Sequence, residues 1–481
     1  MRRGTMLLAA LMLVGACGTG EAMPSDVVEL DTGQVRGEQR DGHLRFQGVP
    51  YAAKPERWKP PVKAESWSGV REATKPGSPC PQVGSSYSET KSTEEDCLFA
   101  NVTTASTSGR KPVLVWVHGD GAIGAGHYFD AERLARQGDV VVVTFNYRMG
   151  VFGGFGLPGL EHSGEFGLLD QRAALEWVQR NIAAFGGDPG NVTLFGVSFG
   201  ATAVGAHLIG QQPLFHKAIM HSSFTLVDVP KGAWFPDLEA LPSLAWRAVP
   251  EIQEIGKMIG AELGCADVEC LRRLPAEKLL DYPQIMNIFQ PVGYGGELLP
   301  KLPGESLEAG EFADVPILAG STRDEHTSFV ELFRPEPMSA EDYSRLVREA
   351  FPDRAAEVER EYPVGAYASP KQAWAALLTD RVWARATFRQ NTLYAKKAPV
   401  YAFEFADQDA RHSADIDFLF PDADFAKDRG LSDHMIKAWT DFARTGDPGW
   451  PKFDGKYVQS LAPGAIGPVD FAAEHKLAFW R

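Results

Sequence analysis

Residues 196–200 read Gly-Val-Ser-Phe-Gly, a serine held between two glycines. A serine hydroxyl is a poor nucleophile until a base removes its proton and an acid holds that base in one tautomer. The neighbours of Ser198 suit such chemistry. Asn191–Phe195 (NVTLF) is an apolar strand-like run, and Ala201–Leu208 reads as a helix. A turn between strand and helix lifts the serine oxygen above the sheet edge. Glycines at both flanks let the backbone pass close to neighbouring elements.

The elements that must carry this serine alternate along the chain. Val113–Val117 (VLVWV) and Val140–Phe145 (VVVVTF) are apolar and β-branched, as buried parallel strands tend to be. Leu168–Phe185 has helical periodicity, placing Leu168, Leu169, Ala173, Leu175, Val178, Ile182 and Phe185 on one broad face. Gly186-Gly187-Asp188-Pro189 stops that helix before the strand 191–195. Ala218–Met220, Pro316–Ala319 and Val400–Phe405 are further strands. This alternation predicts an α/β chain with a mostly parallel central sheet and helices on both faces. Such sheets bind ligands beyond the carboxyl ends of their strands.

Sheets of this kind with a serine elbow order their triad as Ser, then Asp or Glu, then His. His216, His221, His326, His412, His434 and His475 follow Ser198. The first two lie in or beside the next strand, a poor place for a mobile imidazole. His412 lies beyond Val400–Phe405 in the loop ADQDARHSADIDFLF, within reach of the serine. For the acid, Glu325 sits just past the strand Pro316–Ala319 in STRDEHTSF, with Asp324 as its competitor.

The chain resembles the type-B carboxylesterases, the family of bacterial esterases, mammalian carboxylesterases and cholinesterases. The resemblance runs from about Val27 to near the C-terminus. It rests on FQGVPYA (46–52), EDCLFANV (95–102), VWVHG (115–119), NYRMGVFG (146–153), residues 166–196, DEHTSF (324–329), HSADIDFLF (412–420) and FARTGDP (442–448). The resemblance implies an α/β-hydrolase fold in one domain over residues 27–481. It implies Ser198 as nucleophile, His412 as base and Glu325 rather than Asp324 as acid. It also implies disulfides Cys80–Cys97 and Cys265–Cys270, and backbone N–H groups of Asp120, Gly121 and Phe199 as the oxyanion hole.

Two segments depart from the family pattern. His-Gly-Gly-Gly-aromatic is His118-Gly119-Asp120-Gly121-Ala122 here, and Gly-Glu-Ser-Ala-Gly is Gly196-Val197-Ser198-Phe199-Gly200. Asp tolerates left-handed backbone geometry, but a carboxylate aimed at a developing oxyanion would repel it. The Asp120 side chain is therefore expected to point away, toward a hydrogen-bond donor. Phenylalanine is absent at 122 and present at 199, a volume-conserving swap if the two loops face each other. Val197 in place of glutamate argues for neutral esters over cationic ones. His326, where the family often has glycine, reads as a solvated loop histidine, and His118 as a structural part of the oxyanion loop.

The 481 residues are 44% apolar and 23% charged, a globular composition. A net charge of −15 argues against nucleic acid, whose phosphates require clustered Lys and Arg. Arg2 and Arg3 precede the apolar run Met6–Val14, too short to span a bilayer. This is the form of a secretory signal. Its end, Val14-Gly15-Ala16-Cys17, resembles the lipobox of bacterial lipoproteins. Residues 1–17 are then a signal segment and 18–26 a tether, with the protein exported and lipid-anchored through Cys17 to the periplasmic or outer face of the envelope. A plain cleaved signal is the alternative. With Cys17 lipidated, Cys80, Cys97, Cys265 and Cys270 allow three disulfide pairings, of which Cys80–Cys97 with Cys265–Cys270 is the local one.

The expected activity is a serine ester hydrolase acting on small-molecule esters through an acyl-enzyme. A binding protein that kept the fold with little or no catalysis is the alternative, and acyl transfer or amide cleavage would use the same triad. No metal-ligand spacing, phosphate-cradling loop or dinucleotide fingerprint is present, so no cofactor is implied.

Overall fold

The computed structural model describes residues 26–84, 91–210, 214–421 and 427–480. The signal segment, Cys17 and the tether up to residue 25 lie outside the described residues. Eleven strands form the central sheet: β1 (Glu38–Arg40), β2 (His43–Pro50), β3 (Phe99–Thr104), β4 (Lys111–Val117), β5 (Val141–Phe145), β6 (Gly187–Val197), β7 (Lys217–His221), β8 (Ile317–Thr322), β9 (Val400–Phe405), β10 (Val458–Leu461) and β11 (Gly467–Val469). Their order across the sheet is β11-β10-β9-β8-β7-β6-β4-β5-β3-β2-β1. Neighbours from β10 to β5 pair in parallel, and both edges are antiparallel. This is the α/β-hydrolase arrangement expected above.

From β4 the chain steps to β5 on one side and then to β6 on the other. The carboxyl ends of β4 and β6 therefore flank a topological switch point, where an open parallel sheet leaves a crevice. The elbow lies at the end of β6 and the His118–Ala122 loop at the end of β4.

Alternation along the strands divides the core into two layers. Val113, Val115 and Val117 of β4 join one buried cluster, while Leu114 and Trp116 join the other. Helices α1 (Phe166–Asn181) and α2 (Phe199–Ile209) cover the first face with Phe166, Leu175, Val178, Ala201 and Val204. The other face is covered by Leu134 and Ala135 and by Leu431, Met435 and Trp439. Leu169 and Ala173, expected on the buried face of α1, are only partly buried. The helical run ends in a 3-10 turn at Phe185, as expected. β6, however, already starts at Gly187, so Asp188 and Pro189 belong to the strand rather than to a loop. The pairing of β4 with β6 shifts register between Lys111 and Val113, which accommodates them.

The buried pair Arg148–Asp170 ties the NYRMG segment to α1. The guanidinium meets both carboxylate oxygens, at 2.7 and 2.8 Å, and also donates to the Lys59 carbonyl. Both side chains are almost wholly excluded from water, so removing one would strand the other charge.

Helix α3 (Pro370–Leu378) runs into a π-turn, Thr379–Ala384, and then into α4 (Arg385–Tyr394). Single π-turns inserted in a helix recur at functional sites. The C-terminal segment locks one side of it. Buried His475 bonds Asp380 of the π-turn through Nδ1 (2.7 Å) and Glu404 of β9 through Nε2 (2.5 Å). Asp380 also accepts the Tyr362 hydroxyl, which accepts the Trp480 indole N–H.

Candidate active site

β6 delivers Ser198 into a turn with φ +59° and ψ −126°, a strained geometry for a non-glycine residue. The glycines around it are needed for close approach. A Cβ on Gly200 would stand 2.2 Å from the Val117 carbonyl oxygen, and one on Gly196 would stand 2.7 Å from the Gly200 carbonyl carbon. The elbow is thus pressed against the end of β4. The Ser198 N–H donates to the His221 carbonyl at 2.9 Å, and the Ser198 carbonyl accepts from Thr202.

His412 meets Ser198 although 214 residues separate them. Its Nε2 lies 3.0 Å from the Ser198 Oγ, and its Nδ1 lies 2.6 Å from Oε2 of Glu325. The carboxylate fixes the proton on Nδ1, leaving Nε2 to accept the serine hydroxyl. Glu325 is fully buried. Its other oxygen accepts the Ser222 hydroxyl (2.5 Å) and the Thr322 N–H (2.8 Å). Asp324 is turned aside into a pair with Arg323 at 2.8 Å. Ser222 was not singled out in the sequence; it stands one residue past β7, where nothing in the local pattern marks it.

Asp120 has φ +71°, and its Oδ1 accepts the N–H groups of Ala122 and Ile123, each at 3.0 Å. The carboxylate thus folds into its own loop, as expected for a side chain kept off the oxyanion. Gly121, at φ +80°, has a backbone conformation that strains other residues, and a Cβ there would stand a tight 3.1 Å from Phe199 Cγ and from Gln290 Cγ. Phe199 thus lies close to Gly121 of the β4 loop, and its ring packs on Phe224 at 4.9 Å; the next residue, Ala122, is buried. Val197 is buried in the core cluster around Trp116, so the position beside Ser198 carries no charge.

His118 is buried and stacked on Tyr147 at 4.4 Å, whose hydroxyl bonds the His118 carbonyl. Burial pushes its imidazole down to about 4, so it is neutral and structural. His221 is held between Asp415 (2.5 Å) and the Trp439 indole (2.9 Å), and His216 accepts from the Val192 N–H. Neither faces the serine, as their place by β7 suggested.

His326 is not the solvated loop residue that the sequence suggests. It is 1% exposed, because the segments 233–234 and 379–383 close over it. It belongs to an aromatic wall around the His412 imidazole. Trp383, Phe329 and Phe224 stand 4.8, 4.9 and 5.9 Å from the His412 ring. None of these rings was identified from sequence. Trp383 is one aromatic among many in WAALLTDRVWARATF, and only the π-turn aims it at His412.

Cys80–Cys97 and Cys265–Cys270 are bonded as the resemblance implied, with Cα separations of 4.9 and 5.3 Å. Among the described residues no group of His, Cys, Asp and Glu is arranged to hold a metal ion, and no helix is long and apolar enough to cross a membrane.

The family model described as the Carboxylesterase family matches residues 24–463. The chain is 31% identical to the para-nitrobenzyl esterase of Bacillus subtilis over 91% of this chain and 95% of that protein. It is also 31% identical to the cocaine esterase of Oryctolagus cuniculus, over 95% of each. Among solved structures, it is similar to a carboxylesterase of Geobacillus stearothermophilus with a TM-score of 0.79 and 33% identity. That match covers 95% of this chain and all of the other.

Proposed function

The chain belongs to the carboxylesterase family and is a carboxylic ester hydrolase; from that premise we propose that Ser198, His412 and Glu325 carry the reaction. The observation behind this reading is the continuous line from Oγ through the imidazole to a buried carboxylate, with contacts of 3.0 and 2.6 Å. Ser198 attacks the acyl carbon while His412 Nε2 takes its proton. Glu325 holds the ring and stabilises the imidazolium. His412 returns the proton to the leaving alcohol, then activates the water that releases the acid from Ser198.

The N–H groups of Asp120, Gly121 and Phe199 receive the oxyanion. Loss of one such donor costs about 10²–10³ in rate in a comparable enzyme. With Asp120 bound into its own loop, the hole keeps its positive character. Val197 leaves the wall beside the nucleophile uncharged, which supports neutral esters as substrates. A higher kcat/KM for a choline ester than for its neutral isostere would refute that preference. Export with lipidation at Cys17 stays part of the proposal, and it is tested by detergent-phase partition of the wild type against Cys17→Ala.

The experiment for the triad is labelling with a fluorophosphonate. The wild type should label and Ser198→Ala should not, with kcat falling by about 10⁶ as in a serine protease stripped of its nucleophile. An unlabelled wild type, or a labelled Ser198→Ala, would overturn the assignment.

A further inference from the structure

His326 is positioned by three separate segments of chain. It directly follows Glu325, so its backbone is set by the acid loop. Its backbone N–H donates to Thr379 Oγ1 (3.0 Å), at the first residue of the π-turn. Its ring bonds at both nitrogens. Nδ1 faces the Trp383 indole N–H at 3.1 Å, and Nε2 faces the Ala233 carbonyl at 3.0 Å.

These partners define its chemistry. An indole N–H only donates and a carbonyl only accepts, so Nδ1 must be the bare nitrogen and Nε2 must carry the proton. A protonated ring would lose the bond to Trp383. Burial, with the neighbouring His412 and Arg334 charges, pushes the imidazole down to about 3, overcoming the bond to Ala233. The ring is therefore a neutral double anchor throughout the working range of an esterase. It cannot serve as a second base for Ser198, since both its nitrogens are occupied by structural partners.

What it anchors lies against the reacting groups. Trp383 stands beside the His412 imidazole. Trp234, next to the Ala233 carbonyl, packs on Phe329 at 4.4 Å, and Phe329 in turn touches His412. Phe224 packs on both Trp383 (4.6 Å) and Phe199 (4.9 Å), extending the wall to the nucleophile elbow. Rings joined only by apolar contact could slide; His475 and Tyr362 hold Asp380 on the turn, while the directional bond to the Trp383 indole itself is the one made by His326.

We propose that His326 is a positioning residue: it clamps the π-turn and the 233–234 segment so that Trp383 stands against the catalytic imidazole, and the resulting wall limits the bulk of the ester admitted. It touches no reacting atom and acts through Trp383. The inference rests on the triad reading above. An acyl series is the right probe because the acyl group stays bonded to Ser198, next to the His412 ring that these aromatics pack against.

The test compares His326→Ala, Trp383→Phe and the double variant with wild type, on p-nitrophenyl acetate and p-nitrophenyl octanoate. Trp383→Phe keeps a ring but removes the indole donor, so it probes the same link without emptying the His326 site. Each single change should lower kcat on the acetate by about tenfold, move KM less than about threefold, and raise the octanoate-to-acetate ratio of kcat/KM at least about fivefold. Because both act through one bond, the double variant should be no more impaired than the worse single. A merely structural role would lower Tm and leave the acyl ratio unchanged. An unchanged ratio in both singles, or losses that multiply in the double, overturns the proposal. Fluorophosphonate labelling of each variant separates the two readings: failure of the wild type to label sinks the triad, while normal labelling with an unchanged ratio sinks only the clamp.

Discussion

Ser222 donates its hydroxyl to one oxygen of Glu325 at 2.5 Å, leaving the other oxygen to His412. The two donors fix the plane of the carboxylate, and so the tilt of the imidazole above Ser198. Hydrogen bonds to charged groups contribute about 1.5–3 kcal/mol, and Thr322 still holds the same oxygen after Ser222 is lost. Ser222→Ala should therefore lower kcat by about tenfold, with KM changed less than about twofold. Steady-state kinetics on a neutral p-nitrophenyl ester measures this; an unchanged kcat would show that Thr322 alone suffices.

Asp120 should hold its loop as a hydrogen-bond acceptor and not through its charge. Asp120→Asn keeps an oxygen for the Ala122 and Ile123 N–H groups and tolerates φ +71°. It should retain kcat/KM within about threefold. Asp120→Ala loses both bonds and strains the backbone by about 1 kcal/mol or more, so kcat should fall by at least about tenfold. Equal losses in the two variants would assign the effect to charge.

Phe199 and Ala122 should be energetically coupled. Phe199 lies against Gly121, and the adjoining Ala122 is buried. Ala122→Phe alone overfills that space, at about 1–3 kcal/mol. Phe199→Ala alone empties it. Together they should recover stability, with a coupling energy above about 0.5 kcal/mol in denaturant unfolding. Additive losses would mean that the two positions changed independently.

His475 makes stability depend on alkaline pH. Burial alone would push its imidazole down, but the bonds to Asp380 and Glu404 and their charges carry it up to about 10. A folded pKa above the unfolded value of about 6.5 means the charged form stabilises the fold. That contribution is complete below about 6.5 and is lost as pH rises toward about 10. The Tm difference between wild type and His475→Gln should therefore be largest below about pH 6.5 and shrink as pH rises toward about 10. A constant difference across that range would contradict it.

The parallel sheet and the serine elbow were legible because their signals are local, whereas Glu325 was preferred to Asp324 only through the family resemblance. β4 and β5 are apolar runs rich in valine, the elbow has its glycines adjacent, and Glu325 and His412 each follow a recognisable strand. The missing parts arise from contacts between segments with no periodicity in common. His326 and Trp383 are 57 residues apart, and a π-turn rather than a regular helical phase brings them together. Ser222 reaches Glu325 across 103 residues for the same reason. His326 was misjudged because a polar residue in an acidic loop gives no sign of the two segments that bury it.

The contact between Gly200 and the Val117 carbonyl divides the labour of the site. The Ser198 elbow and the end of β4 are fused into one body with no slack, since even a methyl group at residue 200 would collide with backbone. That half can hardly be retuned without losing the chemistry. Adaptation to a new ester must fall on the opposite half, where the rings of Phe224, Phe329 and Trp383 meet by apolar contact and one changed side chain can redraw the outline. A selection for altered substrate range should accordingly collect its substitutions along that aromatic side and leave Gly196, Gly200 and Gly121 untouched.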